Sequence, residues 1–450
     1  MASLCGPHLL GDRPLNKIAV VNGLRGLAII GVLFQHIGSG WAADSLSAIW
    51  APLFTNGWTG VNLFFILSGF VLFLPYASGR RRMAAGADAW HFYWRRCLRL
   101  MPLYYAAAVV LLVLAGPVFG GPKFGTVGFG ELATDLATAR FVLRPHHFGV
   151  AINYPLWSVG VEILFSLAFP AVALLVARLG MGRVLAAALV AAFVARVIGR
   201  LWDPHPLGPN FIADNIFGRI DEFVLGMAVA QFYLAGKIPA WARHLGWPGA
   251  ALVLLAWAGF YQCQYQRFPM VAMAPLNNLL DLGFLALLVA ALVGRKHRVL
   301  AFAPLQVAGM MCYSLYIWHA PVLQSVQPLY GITATLAVLL ALSAISYRYI
   351  EFARTPDWRT LFLWSPRLTT FGGAIRYPTA FLDDIGSAKC RPFHRLGDVV
   401  LLAPVRPADG GGNLSLHGSP PPHTTIIGNW WRGSLNYLTR CCSKRRSRGR

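Results

Sequence analysis

The sequence predicts an all-α polytopic membrane protein with about ten transmembrane helices and both termini in the cytoplasm. Three observations carry that prediction. Of 450 residues, 56% are hydrophobic and only 12% charged, about half the roughly 25% charged share usual in soluble domains. Apolar runs long enough to span, about 20 residues each, recur as far as residue 350, and Lys and Arg gather in short clusters between them. The formal net charge is +22, which alone would suit a nucleic-acid binder. Such proteins, however, place their cations on one hydrophilic face, often with aromatic side chains for stacking. The pattern here is that of positive-inside sorting, so nucleic acid is excluded as a partner and membrane lipids are expected.

On the length criterion, helices fall near residues 18–38, 59–77, 102–120, 156–178, 182–199, 213–234, 247–263, 275–293, 305–327 and 331–350. The second connection holds Arg80, Arg81, Arg82, Arg95, Arg96 and Arg99. The later even-numbered connections hold Arg178 and Arg183, Lys237 and Arg243, and Arg295, Lys296 and Arg298. The odd-numbered connections are poorer in Lys and Arg, and the first has none, which places the even-numbered ones and both termini on the cytoplasmic side. The third connection, 121–155, is long and rich in Gly and Pro, carries His146 and His147, and is expected outside as a lid or binding loop.

Residues 1–17 form the cytoplasmic N-terminus and show no separate apolar core with a cleavage site, so no removable signal peptide is expected. Residues 18–354 form the membrane domain. From 355 to 450 the chain turns basic and rich in Gly, Pro and Arg without apolar periodicity. That composition is expected of a disordered tail, and a shifted reading frame would produce it equally. The seven cysteines have no metal or disulfide spacing, and no metal site is expected.

Ionisable side chains inside the hydrocarbon cost about 2.5–3.5 kcal/mol each on insertion scales, so each is a candidate for function. The first helix carries Arg25 and His36. Eleven residues apart, they lie about 20° from a common face and about 16 Å apart along the axis, a cation near the cytoplasmic end and an imidazole in the outer half. Snorkelling of the Arg to headgroups is the plain alternative. Arg96 and Arg99 share a face at i, i+3 just before the third helix. With Arg25 they would make a bidentate anion clamp. Glu162 follows Trp157 and Ser158 near the outer start of the fourth helix. It is expected at the depth of His36, where a carboxylate would orient the imidazole for acid–base work; pairing with a buried cation is the alternative. The ninth helix offers Tyr313, Ser314, Tyr316, Trp318 and His319, of which His319 is a second candidate. Arg219 and Glu222 read as an i, i+3 ion pair, Ser68 and Gly69 as a close helix contact, and Arg348 with Glu351 as a terminal salt bridge.

Several of these residues sit in strings that resemble a known family. Asn22-Gly23-Leu24-Arg25-Gly26 followed by His36, then Phe64-Phe65-Ile66-Leu67-Ser68-Gly69-Phe70, then Arg96-x-x-Arg99 leading into Leu100-Met101-Pro102-Leu103-Tyr104-Tyr105, come first. Trp157-Ser158-Val159-Gly160-Val161-Glu162 and Tyr313-Ser314-Leu315-Tyr316-Ile317-Trp318-His319-Ala320-Pro321 complete the series. Together, in this order, they resemble the acyltransferase 3 family of integral-membrane O-acyltransferases, which includes O-antigen acetylases, over about residues 18–353. Asn22 stands where an acidic residue is usual, and Ala353 replaces the customary Pro.

The resemblance implies a multi-pass protein of the bacterial cytoplasmic membrane. It implies no bound cofactor, an acyl-CoA donor (acetyl-CoA first) used from the cytoplasm, and an acceptor hydroxyl on a cell-surface glycan or glycolipid. It marks Arg25 and His36 as one motif pair and Arg96 and Arg99 as another. On that footing His36 and Glu162 are the expected catalytic residues, and Arg25, Arg96, Arg99, Trp157 and His319 the expected substrate contacts. A transporter or glycan flippase is the rival reading. Such proteins often show internal repeats and paired broken helices, and no convincing repeat is visible here. Oligomeric state is not legible.

Overall fold

The computed structural model describes residues 16–45, 51–83, 86–115, 153–205, 209–294 and 299–351. All of them fall in the first of two compact units, Met1–Cys390 and Arg391–Arg450. The proposed outer loop with His146 and His147 and the basic tail lie outside the described residues. Among the described residues the protein is all helical. The principal helices are α1 (Asn16–Ser45), α2 (Ala51–Thr55), α3 (Gly60–Ala77), α4 (Gly86–Ala115), α5 (Trp157–Leu179) and α6 (Met181–Trp202). They continue with α7 (Ile216–Leu234), α8 (Gly246–Gln264), α9 (Met273–Val293), α10 (Ala303–Met310) and α11 (Cys312–Ser346), the last ending in a π turn, Tyr347–Glu351.

Among the described residues, six segments are long and apolar enough to cross a membrane: Val20–Gly38, Gly57–Ala77, Tyr154–Leu179, Met181–Trp202, Met270–Val293 and Cys312–Glu351. Ten spans were expected from the sequence; the one expected over 247–263 is present as α8 but is not among the six, and the other differences have physical reasons. The stretch Cys312–Glu351 merges two expected helices, but Gly331 inside it has φ 73° and ψ −178°, a conformation natural to glycine, so the helix is interrupted there. Helix α7 carries Arg219, Asp221 and Glu222, too many charges to span by composition alone. Helix α4 begins sixteen residues before the expected start at 102, so Arg95, Arg96 and Arg99 are within it rather than before it. Its polar first half hid it from a search for apolar runs.

The expected helix 305–327 is broken at Met311 into α10 and α11. Helix α10 packs on α1, where small residues allow backbone approach. A Cβ on Gly309 would stand 1.8 Å from the Asn22 carbonyl oxygen, and one on Gly26 would stand 2.2 Å from that of Leu305.

The centre of the bundle is the contact of α3 with α7. Phe223 of α7 stacks on Phe65 (4.7 Å between centroids) and on Phe165 of α5 (3.9 Å), and all three are buried. Gly69 and Gly226 let the two backbones meet: an added Cβ would lie 1.9 Å from the Phe223 and Ile66 carbonyl oxygens respectively. The close contact read from Ser68 and Gly69 is therefore present. Gly69→Ala is expected to destabilise the bundle by about 1–3 kcal/mol through overpacking, seen as a lower unfolding temperature in detergent. Gly182→Ala in α6, where an added Cβ meets nothing within 4 Å, is expected to have no such effect. Equal unfolding temperatures for both variants would contradict the packing argument.

Candidate active site

Two adjoining cavities open between α1, α3, α5 and α11. The first has a volume of 270 Å³ and is bounded by His36, Gln35, Trp58, Tyr154, Trp157 and Tyr316, and also by Arg200, Asp214 and Gln264. The second, of 70 Å³, is bounded by Arg25, Arg99, Ser68, Glu162, Cys312 and Tyr313. Val61 and Tyr316 are common to both linings. Arg25 and His36, both on α1, line adjoining cavities, a cation in one and an imidazole in the other.

His36 is oriented by its own helix. Its Nδ1 lies 2.8 Å from the Val32 carbonyl oxygen one turn back. A carbonyl only accepts, so Nδ1 carries the proton and Nε2 is left with its lone pair. His319 is built in the same way, with Nδ1 2.7 Å from the Tyr316 carbonyl oxygen and a buried Nε2 that has no hydrogen-bond partner among the described residues. The two imidazoles meet edge to face at 4.8 Å, and the Tyr154 ring lies 5.8 Å from His36. Tyr154 is held by a 3-10 turn, Tyr154–Leu156, which Asn153 ties to α11 by donating from Nδ2 to the Ile317 carbonyl oxygen at 2.7 Å. Trp157, at the start of α5, lines the same cavity.

Glu162 does not pair with His36. Its Oε1 accepts from Arg96 Nη2 at 2.5 Å and from Ser68 Oγ at 3.0 Å, while Arg96 Nε donates to Ser166 Oγ at 3.0 Å. One turn of α5 separates a residue facing the His36 cavity from one facing α4, and Glu162 is on the second side. The same pairing alters the expected clamp of three guanidiniums. Arg96 is engaged by Glu162 and Ser166 and does not line the 70 Å³ cavity, whereas Arg25 and Arg99 do. Among the described residues Arg25 makes no hydrogen bond or ion pair, although Arg96, Arg99 and Glu162 are within electrostatic reach. Arg348 and Glu351 form no salt bridge either. Glu351 accepts from Ser314 Oγ of α11 at 2.5 Å, and Arg348 lies over the Tyr349 ring at 5.5 Å.

A second charged assembly is buried between α3, α6, α7 and α9. Arg196 Nη2 donates to Asp221 Oδ1 (2.8 Å), Glu222 Oε1 (3.2 Å) and Asp281 Oδ2 (3.3 Å). Arg219 donates to Glu222 Oε1 at 2.7 Å, the i, i+3 pair read from the sequence, and also to Asp214. Arg200 Nη2 reaches Asp214 Oδ2 at 3.2 Å, and Asn62 Nδ2 reaches Glu222 at 2.9 Å. Asp221, Glu222 and Asp281 each offer an oxygen, all within 4.8 Å of one another, as a metal site would. Arg196 Nη2 is bonded to all three, so a guanidinium fills the place between them.

Comparison with known proteins places the chain in a family. A family model described as "Acyltransferase domain" matches residues 18–347, nearly three quarters of the chain. The chain belongs to the acyltransferase domain family. It is 22% identical over 361 residues to a protein named peptidoglycan O-acetyltransferase OatA from Listeria monocytogenes serovar 1/2a, covering 74% of this chain and 54% of that relative. It is also 22% identical over 385 residues to the O-acetyltransferase OatA of Staphylococcus aureus strain NCTC 8325 / PS 47, covering 74% and 56%. The chain thus spans about half the length of the curated relatives it matches. No solved structure matches it.

Within this acyltransferase domain, sequence reasoning passed over Arg196, Arg200, Asp214 and Asp281. Arg196 and Asp281 sit inside apolar spans, the same signal that singled out Arg25. Their partners lie 25 and 85 residues away from Arg196, and spacing along one helix does not show such pairs. Tyr154, Gln35 and Gln264 carry no sequence signal at all; only the packing of α1, α8 and the 3-10 turn gathers them.

Proposed function

We propose that this protein is a multi-pass membrane O-acyltransferase of the bacterial cytoplasmic membrane that moves an acetyl group from acetyl-CoA to a hydroxyl of a cell-wall or cell-surface glycan. The observation that carries the reading is the adjacency of two chemically different cavities with Tyr316 in the shared wall. One offers guanidiniums for a polyanionic donor, the other an imidazole with an available Nε2 for an acceptor hydroxyl. Family membership and the names of the relatives support acyl transfer to a glycan as the reaction class.

In this mechanism Arg25 and Arg99 hold phosphate oxygens of CoA at the cytoplasmic side, and the pantetheine arm runs along α1 toward His36. His36 Nε2 takes the proton of the acceptor hydroxyl as its oxygen attacks the thioester carbon. The C–S bond then breaks, the thiolate of CoA leaves, and it recovers the proton from His36. The products are the acetyl ester and free CoA. His319, edge-on to His36, restricts its ring, and Trp157 borders the acceptor. Glu162 acts on the donor side, holding Arg96 in place through the 2.5 Å pair, and is a positioning residue rather than the partner of the base.

Label transfer from acetyl-CoA to glycan in proteoliposomes containing only this protein tests the reading. A transporter or flippase would move glycan or donor across the bilayer without forming an ester. Arg25→Ala is expected to raise the KM for acetyl-CoA at least about tenfold, the loss of one or more charge-assisted hydrogen bonds, and to change the acceptor KM little. An unaltered donor KM would leave Arg25 with a topological role alone.

A further inference from the structure

We propose that the 270 Å³ cavity beside His36 is an acceptor subsite shaped for a single pyranose ring, and that Gln35 and Gln264, backed by the Arg200–Asp214 pair, select for its hydroxyls. This rests on the acyltransferase reading and adds what the acceptor must present. The volume lies just below the roughly 300–1,000 Å³ of pockets for drug-sized ligands, which leaves room for one sugar ring beside His36. The lining alternates ring faces with polar groups. Trp58, set at 5.1 Å against Phe260, and Tyr154 offer flat apolar surfaces of the kind that receive the C–H face of a sugar.

The polar groups are anchored so that each keeps one unused function. Gln35 accepts the backbone N–H of Trp58 on Oε1, and among the described residues its Nε2 has no hydrogen bond. Gln264 donates from Nε2 to Asn56 Oδ1 at 3.3 Å, which leaves its Oε1 to accept. A donor and an acceptor thus line one small cavity. A hydroxyl satisfies both, and an alkyl group neither. Behind them Arg200 and Asp214 bring charge to the cavity wall, where a plain alcohol or an acyl chain would gain nothing from it. Asp214 is immobilised from the rear by Arg219 and by the Asn210 backbone N–H, 2.6 Å from Oδ2. The buried assembly of α6, α7 and α9 therefore fixes the side of the cavity that reads the substrate.

Two acceptors with the same primary alcohol on a six-membered ring separate the possibilities: methyl β-glucopyranoside and cyclohexylmethanol. With acetyl-CoA in proteoliposomes, the wild-type protein is expected to prefer the pyranoside by at least about a hundredfold in kcat/KM, since a site built for hydroxyls rejects an analogue lacking them. Gln35→Leu and Gln264→Leu, on different helices, are each expected to reduce that preference about tenfold, with the acetyl-CoA KM as in wild type. Equal use of the two alcohols by wild type, or an unchanged preference in both variants, overturns the subsite. Failure of wild type to acetylate either alcohol or intact glycan overturns the acyltransferase reading, and the subsite with it.

Discussion

Replacing His36 by Gln is expected to lower acyl transfer by about 10²–10⁴-fold, the usual contribution of a positioned general base, with normal folding and an unchanged KM for acetyl-CoA. Glutamine can still donate to the Val32 carbonyl oxygen, which holds His36 at 2.8 Å, so the local helix is not asked to change. What it lacks is the second ring nitrogen, Nε2, which the proposed reaction uses as the base. Donor binding is assigned to the other cavity, so kcat should fall while the donor KM stays. His319→Gln is expected to be milder, because His319 touches the base rather than the acceptor and lines neither cavity. A His36→Gln protein that is monodisperse and transfers acetyl at the wild-type rate sinks the assignment of the base.

Arg196→Met is expected to have the largest effect on stability, about 3–5 kcal/mol, the range for breaking a buried ion pair by removing one partner. Its guanidinium bonds three carboxylates as well as the Gly218 carbonyl oxygen and Asn278. Without it, three acids would face one another in a dry interior. Asp221→Asn should be tolerated far better. The assembly holds the carboxylates of Asp214, Asp221, Glu222 and Asp281 against the guanidiniums of Arg196, Arg200 and Arg219, so losing one acid brings the charges to balance. Thermal unfolding in detergent, followed by size-exclusion chromatography, measures both. If Asp221→Asn unfolds as readily as Arg196→Met, charge balance is not what holds the assembly.

Much of the fold was legible because continuous apolar runs mark helices: the expected 59–77, 156–178 and 275–293 differ from α3, α5 and α9 by no more than two residues at either end. The half of α4 before residue 102 was not, because its arginines break the apolar run that a hydropathy search needs. In the site, Arg25 and His36 stood out as isolated ionisable groups in an apolar segment. Their spacing correctly put them on one face, since that depends only on helix geometry. For Glu162 the stated alternative, pairing with a buried cation, is what the structure shows rather than the expected pairing with His36, because the partner depends on which way α5 is turned against α4. That rotation is decided by contacts such as Arg96 with Ser166, 70 residues apart. Local spacing can place a charge in the membrane and leave open which neighbour it meets.

The bonds between α6, α7 and α9 also bear on how the chain enters the bilayer. Helix α7 exposes three charges when alone, and at about 2.5–3.5 kcal/mol apiece it cannot partition into lipid unaided. Its neutralising partner Arg196 is made earlier, on α6, but Asp281 and Asn277 are made later, on α9. Before α9 is made, Arg196, Arg200 and Arg219 already face Asp214, Asp221 and Glu222, three charges against three, so α7 can enter the bilayer beside α6 as a balanced pair. A chain stopped between α7 and α9 should be released into the bilayer, and the same chain with Arg196 replaced by Met should not let α7 follow α6.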